Sequence, residues 1–400
     1  MVIVAYNPRL YKNTLKMILM RRIFALIVVL GLFSACSKEK EAVSPIKEKS
    51  FEINNNPSLL NKRVHYLNEP IQFENTKKSL GYTLIASIES PTVNGQKLSA
   101  TCVTGSFGRT YVGFHARGEN IGGELLSLDV SVPEEPAILQ SAQSETYEVN
   151  DIYLNMNQPR LWICGDTDEE GTHQAYAMEF SLNSELAHNE TANWTKYSSS
   201  NSGNSITEAS IDGNSHLWFT SGENGGLEVF PSSNPQEIVI GFDAINTKHF
   251  DKDGQYGVVV IGIETNLSIV RVYDFNNNFS FTDYEIPYTL NSSGKNGLCV
   301  SRNQAYIAMG SDGLIIFDLM SGEIVSTFKT SGGNANSVFV EKDYIYLAYG
   351  SAGLFIIDQF SMESLGNYKY DGSCNFVFVD HEMVYLANGD GDGFLILKKD

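Results

Sequence analysis

The sequence predicts an all-β fold made of repeated four-stranded sheets. Residues 346–358, "YLAYGSAGLFIID", have counterparts 40 residues earlier, "YIAMGSDGLIIFD", and 39 residues later, "YLANGDGDGFLIL". A period of this length is typical of repeat architectures, in which each unit needs its neighbours to bury its apolar surface. Runs such as "GLFIID" are apolar without alternation, so both faces of each sheet must be covered. Small sheets stacked around an axis in this way form a β-propeller.

Seven units can be counted from an aromatic anchor that opens the second strand of each. The sixth unit illustrates the four strands: "NSVFVE", "YIYLAY", "GLFIID" and "SLGNYKY". No segment between strands has a helical period, which argues against a βαβ fold. We therefore predict a seven-bladed β-propeller over residues 79–400. The anchors, in chain order, are Tyr111, Trp162, Trp218, Tyr256, Tyr306, Tyr346 and Tyr385.

The two ends of the propeller are expected to meet in its last blade. The seventh unit ends at "FLILKKD", after its third strand, whereas "LGYTLIASIES" (residues 80–90) is a strand without a unit of its own. We predict that residues 80–90 supply the outer strand of the seventh blade, because this closes the ring and removes an exposed sheet edge.

The N-terminal region has the features of a secretory signal. Arg21 and Arg22 precede the apolar run "IFALIVVLGLF", which as a helix would span about 16 Å and is too short for a bilayer core of about 30 Å. We predict a signal peptide over residues 1–35, with translation starting at Met1, Met17 or Met20. The alternative is a buried apolar segment.

The residues that follow resemble those of bacterial lipoproteins. "FSAC" is similar to a lipobox, with Phe33 where Leu, Val or Ile is more usual, and implies that Cys36 is lipidated. The next residues, "SKEKE", resemble the surface-export signal of lipoproteins of the Bacteroidota; an ordinary solvated linker is the alternative. We predict a flexible tether over residues 36–78. The resemblance implies the bacterial outer membrane, at the cell surface or on the periplasmic face.

The net charge of −19 argues against nucleic acid as a partner, because an acidic surface repels phosphate groups. Residues 1–35 hold five basic and no acidic residues, so their removal makes the chain more acidic still. The expected contacts are the membrane, through the lipid anchor alone, and an envelope protein or a glycan. The propeller itself is expected to be monomeric.

No cofactor or metal site is predicted. The cysteines beyond Cys36 lack the spacing of a zinc site and are expected to be buried thiols, with a Cys102–Cys374 disulfide left open. "NGDGDG" begins like a calcium loop, but Lys399 stands where that loop needs an acid. We interpret it as a turn, and the acidic run after Gly165 as a solvated hairpin. The carboxylates concerned are Asp390, Asp392, Asp166, Asp168, Glu169 and Glu170.

One polar position recurs ten residues before the anchor. A seven-fold arrangement would gather these side chains at one mouth of the central channel, where amides could hydrogen-bond a sugar or a peptide. The alternative, which we favour, is structural, because asparagine adopts left-handed conformations and caps its own turn. The position is occupied by Asn246, Asn296, Asn336 and Asn375, by Glu208 in the third unit and by Thr101 in the first.

The strand signature of the last units resembles the LVIVD repeat. "GLIIFD", "GLFIID" and, more loosely, "GGLEVF" are similar to its Gly-Leu-x-Ile-x-Asp strand, clearly over residues 295–400 and weakly over 98–290. The resemblance implies a propeller in a secreted or surface protein of bacteria, and no particular activity.

Motifs of catalysis are missing from the sequence. It has no HExxH, no GxSxG and no phosphate-binding loop, and its seven histidines are scattered. The sequence therefore predicts a non-catalytic, lipid-anchored binding or interaction module of the cell envelope. The alternative is a glycan- or peptide-processing hydrolase or lyase with its site in the central funnel. A convergence of carboxylates or histidines within about 6 Å at one mouth would favour this enzymatic alternative. A third option is a purely structural role, in which the wider loops dock a neighbouring envelope protein.

Overall fold

The structure, a computed structural model, contains seven antiparallel sheets arranged as blades. Strand A of each blade contacts strand A of the next, and the contacts run through all seven blades back to the first. The predicted seven-bladed β-propeller is therefore confirmed. The described residues are 51–74, 80–118, 120–169, 173–183, 187–189, 192–198, 202–211, 213–222, 225–243, 246–277, 280–290, 295–389 and 393–400.

The chain begins with short elements and then builds the blades in order from strand A, which is innermost, to strand D. The first elements are β1 (Glu52–Asn54), α1 (Pro57–Leu60), a 3₁₀ turn (Asn61–Arg63), β2 (Val64–Pro70), β3 (Tyr82–Ile88), β4 (Thr92–Val93) and β5 (Gln96–Lys97). Blades 1 to 3 contain β6 (Ser99–Ser106), β7 (Arg109–His115), β8 (Gly123–Asp129), β9 (Ala137–Ser144); β10 (Asp151–Asn155), β11 (Arg160–Thr167), β12 (Gln174–Ser181), β13 (Trp194–Ser198); β14 (Ser205–Ile211), β15 (Asn214–Thr220), β16 (Gly226–Pro231) and β17 (Ile240–Asp243). Blades 4 to 7 contain β18 (Thr247–Asp253), β19 (Tyr256–Glu264), β20 (Leu267–Asp274), β21 (Ser280–Ile286); β22 (Leu298–Ser301), β23 (Gln304–Ala308), β24 (Leu314–Asp318), β25 (Glu323–Phe328); β26 (Ser337–Glu341), β27 (Tyr344–Ala348), β28 (Leu354–Asp358), β29 (Ser364–Tyr368); β30 (Cys374–Asp380), β31 (Met383–Asn388) and β32 (Phe394–Lys399).

The core lies between the blades, as the apolar runs predicted. Six of the seven aromatic anchors are almost fully buried, and Tyr256 is partly buried. Trp218 of blade 3 stacks on Phe250 of blade 4, with ring centroids 4.3 Å apart. Gly353 ends the B–C turn of blade 6 at φ +87°, where a Cβ would lie 2.2 Å from the Tyr368 carbonyl oxygen. Any side chain there would be strained, which explains the glycine.

The ring closes through the N-terminal strand. β3 pairs antiparallel with β32, from Tyr82 opposite Lys399 to Ile88 opposite Phe394. Residues of the 80–90 segment thus form strand D of blade 7, as predicted. Among the described residues, no helix combines the length and the apolar character needed to cross a bilayer.

The fold begins earlier than residue 79, so the predicted tether over residues 36–78 is too long. β1 adds a fifth strand to blade 1, and β2 adds a fifth strand to blade 7. Phe51 and Leu60 are buried against these blades, with 2% and 4% of their surface exposed. Such isolated apolar residues among polar ones give no periodic pattern, so the sequence did not reveal the strands. Residues 36–50 and 75–79 lie outside the described part.

Candidate functional site

The recurrent polar position joins successive blades at one end of the channel. Asn336 Nδ2 donates to the Cys374 carbonyl oxygen at 3.0 Å, and Asn375 Nδ2 donates to that of Ala100 at 3.0 Å. Thr101 Oγ1 likewise donates to the Val149 carbonyl oxygen at 2.7 Å. Each acceptor immediately precedes the equivalent position in the next blade. We call this end of the channel, where the A strands begin, the upper mouth, and the opposite end the lower mouth.

Two further members of this ring stand twelve and fourteen residues before their anchors, Trp162 and Trp218, instead of ten. Asn150 Nδ2 donates to the Gly203 carbonyl oxygen at 3.1 Å, which places Asn150 and Asn204 at the recurrent position of blades 2 and 3. Glu208, predicted there, lies four residues further along β14, opposite Leu217, and accepts a hydrogen bond from Asn155. The hairpins of these blades are longer, so a fixed spacing of ten residues identified the wrong residue.

Asn246 and Asn296 complete the ring with left-handed backbones, at φ 59° and 48°. Asn246 Nδ2 donates to the Leu290 carbonyl oxygen at 2.9 Å, and both residues are buried. This is the conformation that the structural alternative predicted. A ligand-binding role of the ring stays a prediction, and of the predicted residues Asn336 and Asn375 line a cavity at the mouth.

That cavity, of about 430 Å³, lies at the upper mouth where blades 1, 5, 6 and 7 meet. Its lining is polar throughout: among the described residues that form it, none has an apolar side chain and none has a carboxylate. Arg117 and Lys295 are its cationic residues. The full lining is Ser99, His115, Arg117, Lys295, Gly333, Asn334, Asn336, Gly350, Ser351, Ser373 and Asn375.

Lys295 extends from blade 5 toward blade 2. Its Nζ donates to the Asn150 carbonyl oxygen over a long 3.5 Å, and it forms no ion pair with any described residue. Burial lowers the pKa of Lys295, while the charges of Asp151 and Glu148 in its neighbourhood oppose that shift. A partly buried cation without a contacting acid is uncommon, because desolvation of a charge costs free energy.

His115 is held in one tautomer by Asn150. The Nδ2 of Asn150 donates to the Asp166 carboxylate at 3.0 Å, so its Oδ1 must be the acceptor that faces His115 Nδ1 at 3.0 Å. Nδ1 of His115 therefore carries the proton, and Nε2 is an acceptor. Burial, with the charges of Lys295 and Arg117, lowers the pKa of His115 to about 3, so the ring is neutral at pH 7.

Glu148 lies beside His115, with Oε2 3.8 Å from Nδ1. Burial raises the pKa of Glu148 well above its ordinary value, and the charge of Asp166 adds to the effect. His173 Nε2 lies 3.6 Å from Asp166 Oδ2 at the same mouth. Carboxylates and histidines thus converge here within the distance that the enzyme alternative required.

Acids also occur deeper in the channel, where the sequence predicts none. Asp151 accepts from the Ile206 amide at 3.0 Å, and Asp251 accepts from the Val300 amide at 2.7 Å. Both bonds join strand A of one blade to strand A of the next. Burial raises the pKa of Asp251 to about 7. The period of the sequence did not reveal these carboxylates because they do not recur at one repeat position.

The remaining predicted features carry no site among the described residues. All four described cysteines are free, so Cys102 and Cys374 do not form a disulfide. No group of three His, Cys, Asp or Glu side chains in the described part of the chain is arranged to hold a metal ion. Cys36, Glu170, Asp390 and Asp392 lie outside the described residues.

The class defined by these features is the β-propeller, and comparison with known proteins agrees. Residues 296–321 and 332–359, in blades 5 and 6, match the LVIVD repeat. The crystal structure of RRP9 WD40 repeats superposes with a TM-score of 0.57 and 12% identity, over 78% of this chain and 97% of that one. At this identity the likeness concerns the fold alone. No curated protein matches the chain.

Proposed function

We propose that this chain is a lipid-anchored interaction module of the bacterial cell envelope, which recognises its ligand at the upper mouth without transforming it. The β-propeller fold and the LVIVD repeats support an interaction module. The proposed location at the membrane rests on the sequence around Cys36, which resembles a lipobox.

The observation that carries the proposal is the convergence of four blades on one polar cavity. Its volume falls within the range of ordinary ligand sites, and propellers and other ring folds gather loops from distant parts of the chain at such mouths. The ring of Asn and Thr side chains fixes the A strands beneath it, so the cavity is supported by a rigid frame.

Blocking the mouth tests the proposal. Ser351 is exposed at the rim, in the B–C turn of blade 6, and Ser351→Trp would fill the cavity. Ser321 is exposed in the C–D turn of blade 5, at the lower mouth, so Ser321→Trp is the matched control. On an array of soluble bacterial polysaccharides and peptides, the first variant should lose the binding of the wild type and the second should keep it. Equal binding by both variants would refute the upper mouth as the site.

The anchor has a separate test. Cys36→Ser should move the protein from the membrane fraction to the soluble fraction, whereas Cys102→Ser should not. Unchanged fractionation of the Cys36 variant would contradict the anchor.

A second candidate function follows from the His115–Glu148 pair. Glu148, whose raised pKa favours its protonated form, could serve as the general acid of a hydrolase or lyase, and neutral His115 could orient a substrate hydroxyl by accepting its hydrogen bond at Nε2. Release of reducing ends or peptides from an array ligand, abolished in Glu148→Gln, would favour catalysis. An unchanged ligand after prolonged incubation would favour simple binding.

A further inference from the structure

We propose that the upper mouth binds a carboxylate-bearing saccharide, with the carboxylate held by Lys295 and Arg117. This inference rests on the function proposed above and names the class of its ligand.

The charge of the cavity points to an anion. In a chain with 47 acidic and 28 basic residues, the described lining of this cavity holds two cations and no carboxylate. Lys295 contributes little to the fold, because its one hydrogen bond is long and it has no ion pair with a described residue. An incoming carboxylate would supply the charge-assisted bonds that Lys295 lacks.

The rest of the lining points to hydroxyl groups. Asn336 donates through Nδ2 to Cys374, and its Oδ1 accepts no hydrogen bond from a described residue, which leaves an acceptor in the lining. His115 Nε2 is a second acceptor, since Nδ1 carries the proton. Ser351 at the rim can donate or accept. A sugar hydroxyl can donate to such acceptors, whereas a bare inorganic anion cannot.

The same lining disfavours other ligands. Among the described residues of the cavity there is no Phe, Tyr or Trp on which a neutral sugar could stack, and no apolar side chain to hold the side chain of an apolar peptide. An acidic peptide would pair with the two cations and could donate its backbone N–H groups to Asn336 and His115, so the experiment below compares it directly with the saccharide.

A matched pair of ligands tests the inference: digalacturonate and digalactose, which differ only in their carboxylates. By titration calorimetry on the full chain in detergent, we expect digalacturonate to bind and digalactose to bind at least tenfold more weakly. Lys295→Met should weaken the binding of digalacturonate at least tenfold, whereas Lys295→Arg should keep most of the wild-type affinity. Lys342→Met, at an exposed lysine away from the cavity, should change nothing. Raising the salt concentration should weaken binding by the wild type more than binding by Lys295→Met, which keeps only Arg117 at the site.

The outcomes separate the two proposals. Equal affinity for both disaccharides, or no effect of Lys295→Met, would overturn the inference. Binding of a hexa-aspartate peptide or of inorganic phosphate in place of digalacturonate, with the same dependence on Lys295, would also overturn the assignment of the ligand as a saccharide. In all of these cases a loss of binding in Ser351→Trp would leave the proposed recognition site standing. Binding that persists in Ser351→Trp would refute both the recognition site and the class of its ligand.

Discussion

Arg63 and Glu124 form a bidentate ion pair that fastens the N-terminal segment to blade 1. Arg63 Nη1 and Nη2 lie 2.7 and 2.8 Å from the two carboxylate oxygens of Glu124, whose side chain is fully buried. Ser141 and Gln143 also donate to Glu124. Because β2 follows Arg63 directly and pairs with β3, this ion pair anchors the strands that close blade 7.

Removal of one partner should therefore destabilise the propeller. We expect Arg63→Met to lower the free energy of unfolding by about 3 kcal/mol, because it leaves a buried carboxylate without its counter-ion. Lys329→Met breaks an exposed pair with Asp312 and should cost less than about 1 kcal/mol. Urea unfolding followed by tryptophan fluorescence measures both. Equal, small effects would show that the N-terminal segment is not held by this pair.

The structural role of the asparagine ring can be separated from a binding role. Asn336→Ala removes one of the two hydrogen bonds to the Cys374 carbonyl oxygen, which also accepts from the Gly350 amide, so we expect a loss of about 0.5–1.5 kcal/mol in the free energy of unfolding. Asn334 is exposed and lines the same cavity, so Asn334→Ala should leave stability unchanged. If both variants unfold like the wild type, the ring does not hold the blades together.

The partly buried Asp251 should make stability depend on pH. Burial raises the pKa of Asp251 to about 7, whereas aspartate in an unfolded chain titrates near pH 3.9. Between these values the native state holds a proton that the unfolded state has released, so the wild type loses stability as the pH rises from about 4 to about 7.

Asp251→Asn removes this loss. Its free energy of unfolding, relative to the wild type, should rise by about 1–3 kcal/mol between pH 4.5 and pH 8. Asp312→Asn, at the exposed partner of Lys329, is the control and should show no such rise. Parallel pH profiles for Asp251→Asn and the wild type would contradict the assignment.

His115 should stay neutral in mildly acidic solution. Burial and the charge of Lys295 lower its pKa to about 3, so the NMR signals of its ring should not titrate between pH 5 and pH 8. Lys295→Met removes one of these causes and should raise the pKa of His115. A midpoint near 6.5 in the wild type would mean that the ring is solvated and that Asn150 does not fix its tautomer.

The sequence predicted the fold well because the same pattern of residues recurs in successive blades. Blades 5 to 7 were located by three features that recur together: the aromatic anchor, the turn glycines and the polar position. Because the last blade then lacked its outer strand, the partner of β3 could also be predicted. Extra strands such as β1 and β2 have no repeat to reveal them, and their few buried residues, such as Phe51, stand among polar neighbours.

The site was harder to predict because it does not follow the repeat. Asn336 and Asn375 were found from the period, but Lys295 and Arg117 each occur once, in loops whose meeting depends on ring closure. Asn204 was hidden by a longer hairpin, so Glu208 was predicted in its place. The pair of His115 and Glu148 joins two neighbouring blades, and only the three-dimensional arrangement brings them to 3.8 Å.

The upper mouth exists only if the ring closes between blades 7 and 1, and a designed disulfide tests this closure most directly. Thr83 of β3 and Lys398 of β32 are paired residues. In Thr83→Cys with Lys398→Cys, mild oxidation of the native chain should link the two strands, detected as a joined peptide by mass spectrometry. Thr83→Cys with Lys329→Cys, in blade 5, should not link. Two free thiols in the first variant would contradict a ring closed by the N-terminal strand, and with it the recognition site.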